Sequence, residues 1–568
     1  MSRRTRLVLV LTVALAMRLG NLAVMSGLPV VEYERHWPEG DMAASWAWSS
    51  HILAGDVLCR DTPHPYTGWM ERIAPRETWE RWWGGRAIFH RAPLYPYTLA
   101  AFRWVGGDGF WGIALGQLAI ALVSVALVVL IAERLFGGAV ATVAGLAAAL
   151  YGPFLLHEAL LIRDPLGIAC TLLALWAIVR CDDARPGGWF LAGVCFALSL
   201  LSREANMLFA PVVVLWIVRR FGRRSFGGPV RAFVAGVLLG LLPLFARNIA
   251  VGVAPWALSN GAVERVVYGH AVDAPPVGGA IPADAPAILA AADGRLGRAI
   301  RLTLATYQGD WWKLVRNEAT ILAALFAGFE PADNANWYYF VERSPFLRFP
   351  LRFEIVLAAG LVGIWLARRT ADRHAILCWF LIAAIPGMTA GVLARYRLVA
   401  VAVLLIYAGV TVVWIVRRAR AGVWGAAAVA AGATVALAIG SALLLSARFA
   451  PLRYRSAEYV LAAQVYDARG EPEKVLAELR DALVHAYRAP GQDVLSVENR
   501  KLAESFAGVA HGLGRDAESA TVLERLAAEY PGDPDLQRLL TIVYREGLGR
   551  PDLAERHAAE ERRLRAVN

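Results

Sequence analysis

The residues best suited to chemistry fall in three short stretches, each beside an apolar run. The first is Glu39-Gly40-Asp41, followed by Asp56 and then by Phe89-His90-Arg91-Ala92-Pro93-Leu94-Tyr95-Pro96-Tyr97. A carboxylate at membrane level can serve as a general base, because desolvation raises its proton affinity while neighbouring cations lower it. Asp41 also has the plainer reading of a helix cap ahead of a helix over 42–53. The second stretch is His157-Glu158-Ala159-Leu160-Leu161-Ile162-Arg163-Asp164-Pro165-Leu166, where Asp164 before Pro165 equally fits a helix start with proline in its first turn. The third is Gly391-Val392-Leu393-Ala394-Arg395-Tyr396-Arg397. Guanidinium groups at headgroup depth suit a phosphate or pyrophosphate, which they grip by paired, charge-assisted hydrogen bonds. The competing reading is anchorage of a span by snorkelling.

The elements that hold these stretches must lie in a membrane. A chain of 568 residues that is 57% hydrophobic, with mean hydropathy +0.46, is too apolar for one soluble core. With the N-terminus cytoplasmic, the pattern predicts about eleven spans: 7–27, 111–132, 138–156, 165–180, 188–202, 204–219, 230–247, 351–367, 374–393, 398–416 and 423–446. Ser202, Arg203 and Glu204 interrupt the fifth and sixth, which can equally form a re-entrant hairpin. The clusters Arg3/Arg4/Arg6, Arg219/Arg220/Arg223/Arg224, Arg368/Arg369/Arg373 and Arg417/Arg418/Arg420 then fall on the cytoplasmic side. Arg395 and Arg397 break the pattern that every other basic cluster obeys, which asks for a ligand. The hydrophilic segments 28–110 and 248–350 fall outside, so Asp41, Glu158, Arg163 and Asp164 face one compartment and can share a site.

Composition divides the chain near Ala450, giving a membrane domain 1–450 and a helical domain 451–568. The second domain carries 17 Lys plus Arg against 20 Asp plus Glu, a net of −3, so the membrane half carries +14 and the whole chain +11. Nucleic-acid binding is therefore disfavoured. Small residues and turns around Ala462, Tyr466, Gly470 and Leu479 to Ala482, and again around Phe506, Gly514, Ala520, Leu526 and Pro531, resemble tetratricopeptide repeats of ~34 residues; a generic helical-hairpin array fits nearly as well. Either serves binding or spacing. Seven tryptophans, at 37, 46, 48, 69, 79, 82 and 83, suit interfacial helices in the first loop that roof a cavity, or simple anchors. The five cysteines imply no disulfide framework and no zinc site. The first apolar run lacks a convincing cleavage site and is taken as a span.

The ordered set Asp41, Arg91-Ala92-Pro93-Leu94-Tyr95-Pro96-Tyr97, Ile162-Arg163-Asp164-Pro165-Leu166, Pro243 through Arg247-Asn248, and Arg395-Tyr396-Arg397 resembles the membrane glycosyltransferases of the C-type fold. The nearest branch is that of bacterial protein O-mannosyltransferase and aminoarabinose-transferase-like enzymes (family 39-like), some with C-terminal tetratricopeptide repeats. Leu258-Ser259-Asn260-Gly261 leading to Tyr268-Gly269-His270, and Phe329-Glu330 leading through Asn334 and Asn336 to Tyr338 and Ser344, extend the likeness over roughly residues 5–420. The resemblance implies Asp41 as catalytic base, Asp164 as its supporting acid, and Arg91, Arg395 and Arg397 around the donor phosphate. His90, Tyr95, Arg163, Tyr268, His270 and Glu330 are the candidate substrate contacts. Gly269-His270 stands where relatives have Gly-Asn, and Ala92 where they often have proline, departures that bear on the donor sugar more than on the reaction.

The expectation is an all-α polytopic membrane enzyme. It would transfer a sugar from a polyprenyl-phosphate donor to a hydroxyl of a glycan, lipid or protein acceptor, with inversion, and require no cofactor. The need for a divalent metal stays open. Its place would be the bacterial inner membrane, in contact with membrane lipids, with the active site and C-terminal domain extracytoplasmic, the latter offering a surface to a protein partner. The alternatives are a transporter or flippase of a lipid-linked glycan, which does not require two long external loops, and an inactive scaffold, which would not need Asp41.

Overall fold

Where backbone groups have no water to bond, a chain satisfies them within its own helices, and every regular element of the computed structural model is a helix among the described residues. It describes residues 1–568 apart from 65, 67, 72, 279–280, 349–350, 369–373, 390, 446–448, 450–455, 489–496 and 568. Arg369, Arg373 and the predicted boundary at Ala450 lie outside the described residues. The chain forms two units, one of Met1–Gly27 and Pro38–Phe449 and one of Leu28–Trp37 and Ala450–Asn568. The first long loop, read from sequence as one segment of the membrane domain, is thus divided. Its first ten residues belong with the C-terminal helices, where Val30 and Tyr33 are buried.

In the first unit, Arg3–Met25, Phe110–Phe136, Ser225–Ala250, Ala394–Arg420 and Trp424–Leu443 are long and apolar enough to cross a membrane. Shorter apolar helices occupy other predicted spans: Gly138–Leu150, Pro186–Ser202, Phe353–Ala367 and Ala375–Thr389, with Asp164–Arg180 and Ala210–Phe221 between them. Ala394–Arg420 is the central pillar, its apolar window 72% buried against 17% for Trp424–Leu443. It packs on Phe353–Ala367 and Gly138–Leu150. Pro186–Ser202 lies against Pro229–Ala250 through Gly193 and Gly236, where an added Cβ would collide with the backbone oxygens of Phe233 and Phe190. Such small-residue contacts let membrane helices approach closely. Leu238, Leu239, Leu242 and Val429 are exposed on outer faces suited to lipid, and Trp104, Trp256, Trp311 and Trp312 are exposed in the manner of an interfacial belt.

Several tryptophans of the first loop do something else. Trp48, Trp79 and Trp83 are buried, and Trp79 and Trp83 share an apolar cluster with Val267, Ile288 and Leu289 of the second loop. The two loops therefore pack into one cap, and these residues are its core instead of lipid anchors. The predicted interruption at Arg203 is present: Pro186–Ser202 ends there in extended backbone and a 3-10 turn, Glu204–Phe209, leads into the next helix.

The second unit holds the helices Ala457–Ala468, Pro472–Arg488, Val497–Gly512, Asp516–Glu529, Pro534–Ile542 and Pro551–Val567. Gly470 and Gly514 close turns in left-handed backbone, with φ of 70° and 66°. Ala462, Ala482, Phe506 and Leu523 are fully buried in its core.

Candidate active site

Asp41 occupies the first position of the helix Asp41–Leu53, after Gly40 in extended backbone. The cap position is thus Gly40, and the Asp41 carboxylate is turned to long-range partners. Its backbone N–H donates to Asn334 Oδ1 at 2.9 Å, while Asn334 Nδ2 donates to its Oδ2 at 3.1 Å. Arg395 Nη2 lies 2.7 Å from Oδ2, and Arg91 pairs with Oδ1. Burial opposes ionisation of Asp41, but Arg91 and then Arg395 outweigh it and hold the carboxyl well below the usual carboxylate range.

Arg395 sits in the first turn of Ala394–Arg420, where a cation meets the positive end of the helix dipole. Carboxylates offset that cost. Besides Asp41, Arg395 contacts Asp164 at 3.4 Å and pairs through Nε with Asp333. Asp164 begins the helix Asp164–Arg180, is 2% exposed, and also accepts from Arg203 Nη1 at 3.1 Å. Alongside, Glu204 is held by Arg163 at 2.8 Å and Arg265 at 2.7 Å. The carboxylates of Asp41, Asp164, Asp333 and Glu204 thus meet the guanidiniums of Arg91, Arg163, Arg203, Arg265 and Arg395 in one network.

This network borders a pocket with about 560 Å³ of space between atoms, open solvent included. Asp41, His90, Arg91, Tyr95, Arg163 and Arg395 line it, together with Ser45 and Trp48. Tyr95 is fixed by its hydroxyl, which donates to Gln117 Oε1 at 2.9 Å. Burial lowers the proton affinity of His90, keeping the imidazole neutral, and raises that of Glu264, whose Oε2 lies 3.9 Å from His90 Nε2. Trp83 Nε1 donates to the other Glu264 oxygen at 3.0 Å. Among the described residues, no group of three His, Cys, Asp or Glu is arranged to hold a metal ion.

Several sequence candidates lie elsewhere. Asp164 stands behind the pocket, touching it through Arg395. Arg397, read as part of a phosphate clamp, is 2% exposed and does not line the pocket. Its guanidinium donates to Ala327 O at 2.8 Å, Phe329 O at 2.6 Å and Glu330 Oε2 at 2.7 Å, and lies 3.9 Å from the centroid of the Phe353 ring. Arg397 and Glu330 together tie down the stretch 327–330. Tyr268 packs with the Trp79 and Trp83 cluster, and His270 Nδ1 lies 2.8 Å from Glu318 Oε1; neither reaches the pocket. Because removing one partner of a buried pair strands the other charge, Arg397→Gln should cost about 3–5 kcal/mol of stability. A thermal melt of the purified variant checks this, and the folded fraction should keep its affinity for polyprenyl phosphate.

The sequence reading missed Asp333, Arg265 and the pairing role of Glu204. The available signal was charge complementarity: arginines on the side where arginines are rare require acids on that same side. Local spacing could not say which acids, since Asp41, Asp164 and Asp333 are distant in the chain.

A helical membrane protein with an arginine–carboxylate pocket under a two-loop cap is the class that fold and site define. Residues 90–249 match the dolichyl-phosphate-mannose-protein mannosyltransferase family. That stretch runs from the pocket wall at His90 and Arg91 through Asp164 to Arg247-Asn248. A comparison with curated protein sequences returns no match. Among solved structures, ArnT from Cupriavidus metallidurans bound to undecaprenyl phosphate is similar at 16% identity and a TM-score of 0.42, covering 93% of this chain and 81% of that one. The archaeal oligosaccharyltransferase AglB from Archaeoglobus fulgidus, in complex with an inhibitory peptide and a dolichol-phosphate, is similar at 14% identity and a TM-score of 0.37, covering 88% of this chain and 59% of that one.

Proposed function

We propose that this chain transfers a glycosyl group from a polyprenyl-phosphate sugar to an acceptor hydroxyl on the extracytoplasmic side of the membrane, with inversion. The observation that carries the reading is the convergence of Asp41, Arg91 and Arg395 on one pocket, of whose lining His90, Arg91, Tyr95 and Arg163 lie in the family-matched segment. In the reaction, Asp41 accepts the acceptor's hydroxyl proton as its oxygen bonds to the anomeric carbon. The bond from that carbon to the phosphate oxygen breaks, and polyprenyl phosphate leaves with the electron pair. Arg91 and Arg395 stabilise the charge gathering on the leaving phosphate. No cofactor enters this scheme.

Arg91 and Arg395 hold the proton affinity of Asp41 down, which makes it a poor base while both are paired with it. Donor phosphate competes for the same guanidiniums, so its arrival raises the proton affinity of Asp41 when a base is needed. Arg163 and His90 line the space for the sugar, and the tetratricopeptide-like helices offer a surface to a protein partner. Incubation of the purified protein with a panel of polyprenyl-phosphate sugars, followed by mass analysis, tests the reading. Release of polyprenyl phosphate together with a glycosylated product is expected; absence of both across the panel refutes it.

The orientation has its own test. Four native cysteines are buried and Cys378 is partly so, which leaves a low background for labelling. A Glu555→Cys variant should react with a membrane-impermeant maleimide in spheroplasts. Labelling only after permeabilisation would place the C-terminal helices in the cytoplasm.

A further inference from the structure

We propose that the end of the first unit's helix bundle away from Asp41 holds a binding site for the phosphate headgroup of an anionic phospholipid, set between the ends of Arg3–Met25, Phe110–Phe136 and Asp164–Arg180. It does not depend on the reaction proposed above. The last of these helices sets the distance between the two sites. Asp164 at its start pairs with Arg395 behind the pocket of Asp41, and Arg180 closes its far end. Its 17 residues span roughly 25 Å, close to the ~30 Å thickness of a bilayer core. The two sites therefore lie at opposite ends of the apolar layer.

A cavity opens there, with about 1130 Å³ of space between atoms, open solvent included. Arg3, Glu133, Arg134, Arg180 and Asp182 give it a charged lining, completed by Leu130 and Trp176. Both acids are already engaged. Glu133 meets Arg3 at 3.2 Å and Arg6 at 2.7 Å, while Asp182 pairs with Arg134 and lies 3.7 Å from Arg220. Arg180 has no carboxylate partner among the described residues, and its guanidinium rests over the Trp176 ring, 4.5 Å from the centroid. A guanidinium stacked on an aromatic face keeps its N–H donors for an oxyanion.

Depth and the neighbouring surface favour a lipid over a soluble phosphate. Each of the three helices is apolar along its length and becomes charged in the turn that reaches the cavity, which is headgroup depth. Trp176, one turn inside Arg180, is the aromatic expected at that level. Leu115, Val123 and Leu130 recur along Phe110–Phe136 at a spacing that places them on one face. Leu115 and Val123 are exposed, and Leu130 reaches the cavity. An acyl chain lying along that face leaves its headgroup among Arg3, Arg134 and Arg180.

The test titrates the full-length chain, in a non-ionic detergent, with phosphatidylglycerol, with phosphatidylcholine of the same acyl chains and with glycerol phosphate, and reads bound ligand by native mass spectrometry. Two double variants are compared with wild type. Arg3→Gln/Arg180→Gln alters the cavity. Arg417→Gln/Arg420→Gln removes as much charge from the far end of Ala394–Arg420, outside the cavity lining. All four side chains are exposed, and Glu133 keeps Arg6, so both variants should fold. Phosphatidylglycerol should bind more tightly than either other ligand. The cavity variant should weaken it about 25-fold, on the order of fivefold for each cation removed, and the other variant should stay within about twofold. Unchanged binding in the cavity variant overturns the site, as does an equal loss in both variants, which would mark diffuse attraction. Phosphatidylcholine bound as tightly as phosphatidylglycerol overturns the preference for an anion. Glycerol phosphate bound as tightly as the lipid overturns the assignment to a lipid.

Discussion

Asp41→Asn is expected to lower turnover by about 10²–10⁴-fold, the range for loss of a positioned acid–base group, while leaving affinity for polyprenyl phosphate intact or improved. The second half of that expectation follows from the resting network. The Asp41 carboxylate is the present partner of Arg91 and of one arm of Arg395. A donor phosphate must share those guanidiniums with it. Asn keeps the size and the hydrogen-bonding reach toward Asn334, yet gives up the negative charge, so it competes less with the incoming phosphate. Affinity for polyprenyl phosphate should therefore hold or rise, with Kd unchanged or lower, while kcat falls, a pattern that misfolding cannot produce. Wild-type turnover in Asp41→Asn would reduce the residue to a first-turn acid of Asp41–Leu53. A parallel collapse of binding and turnover would make it a structural counter-ion.

How far the sequence foretold this arrangement depends on the range of the interaction. The apolar periods and the break at Arg203 were legible because they are set by residues adjacent in the chain. Asp41, Arg91 and Arg395 are singled out in the sequence by ordered motifs and a charge out of place, and the structure brings the three to one pocket. Arg397 was misread for an instructive reason. A cation on the acidic-loop side asks for an anion, and the sequence offered an external phosphate as readily as Glu330, which lies 67 positions away. The division of the first loop had no local signal either. Pro29, Val30 and Tyr33 look like any short apolar run after a span, and only the helix Ala457–Ala468, more than 400 residues on, gives them a core.

Arg395→Lys should be the most damaging conservative substitution in the chain. One guanidinium joins three carboxylates from three distant segments: Asp41 at 2.7 Å, Asp164 at 3.4 Å, and Asp333. A planar fork with five donors can span that triangle, whereas an ammonium is a single point on a flexible stem. Lys would keep the net charge but lose at least one of these three contacts, at a residue 5% exposed. Stability should therefore fall by about 1–3 kcal/mol, the cost of a buried polar group left unsatisfied, and donor affinity should fall with turnover because the phosphate is present in both ground and transition states. Arg395→Gln should be worse in all three, since it removes the cation that the three carboxylates share. Melting temperature, Kd for polyprenyl phosphate and kcat for the two variants separate this from simple anchorage in headgroups. Snorkelling needs a long cationic chain and no particular geometry, so a Lys variant indistinguishable from wild type in all three would remove Arg395 from the site.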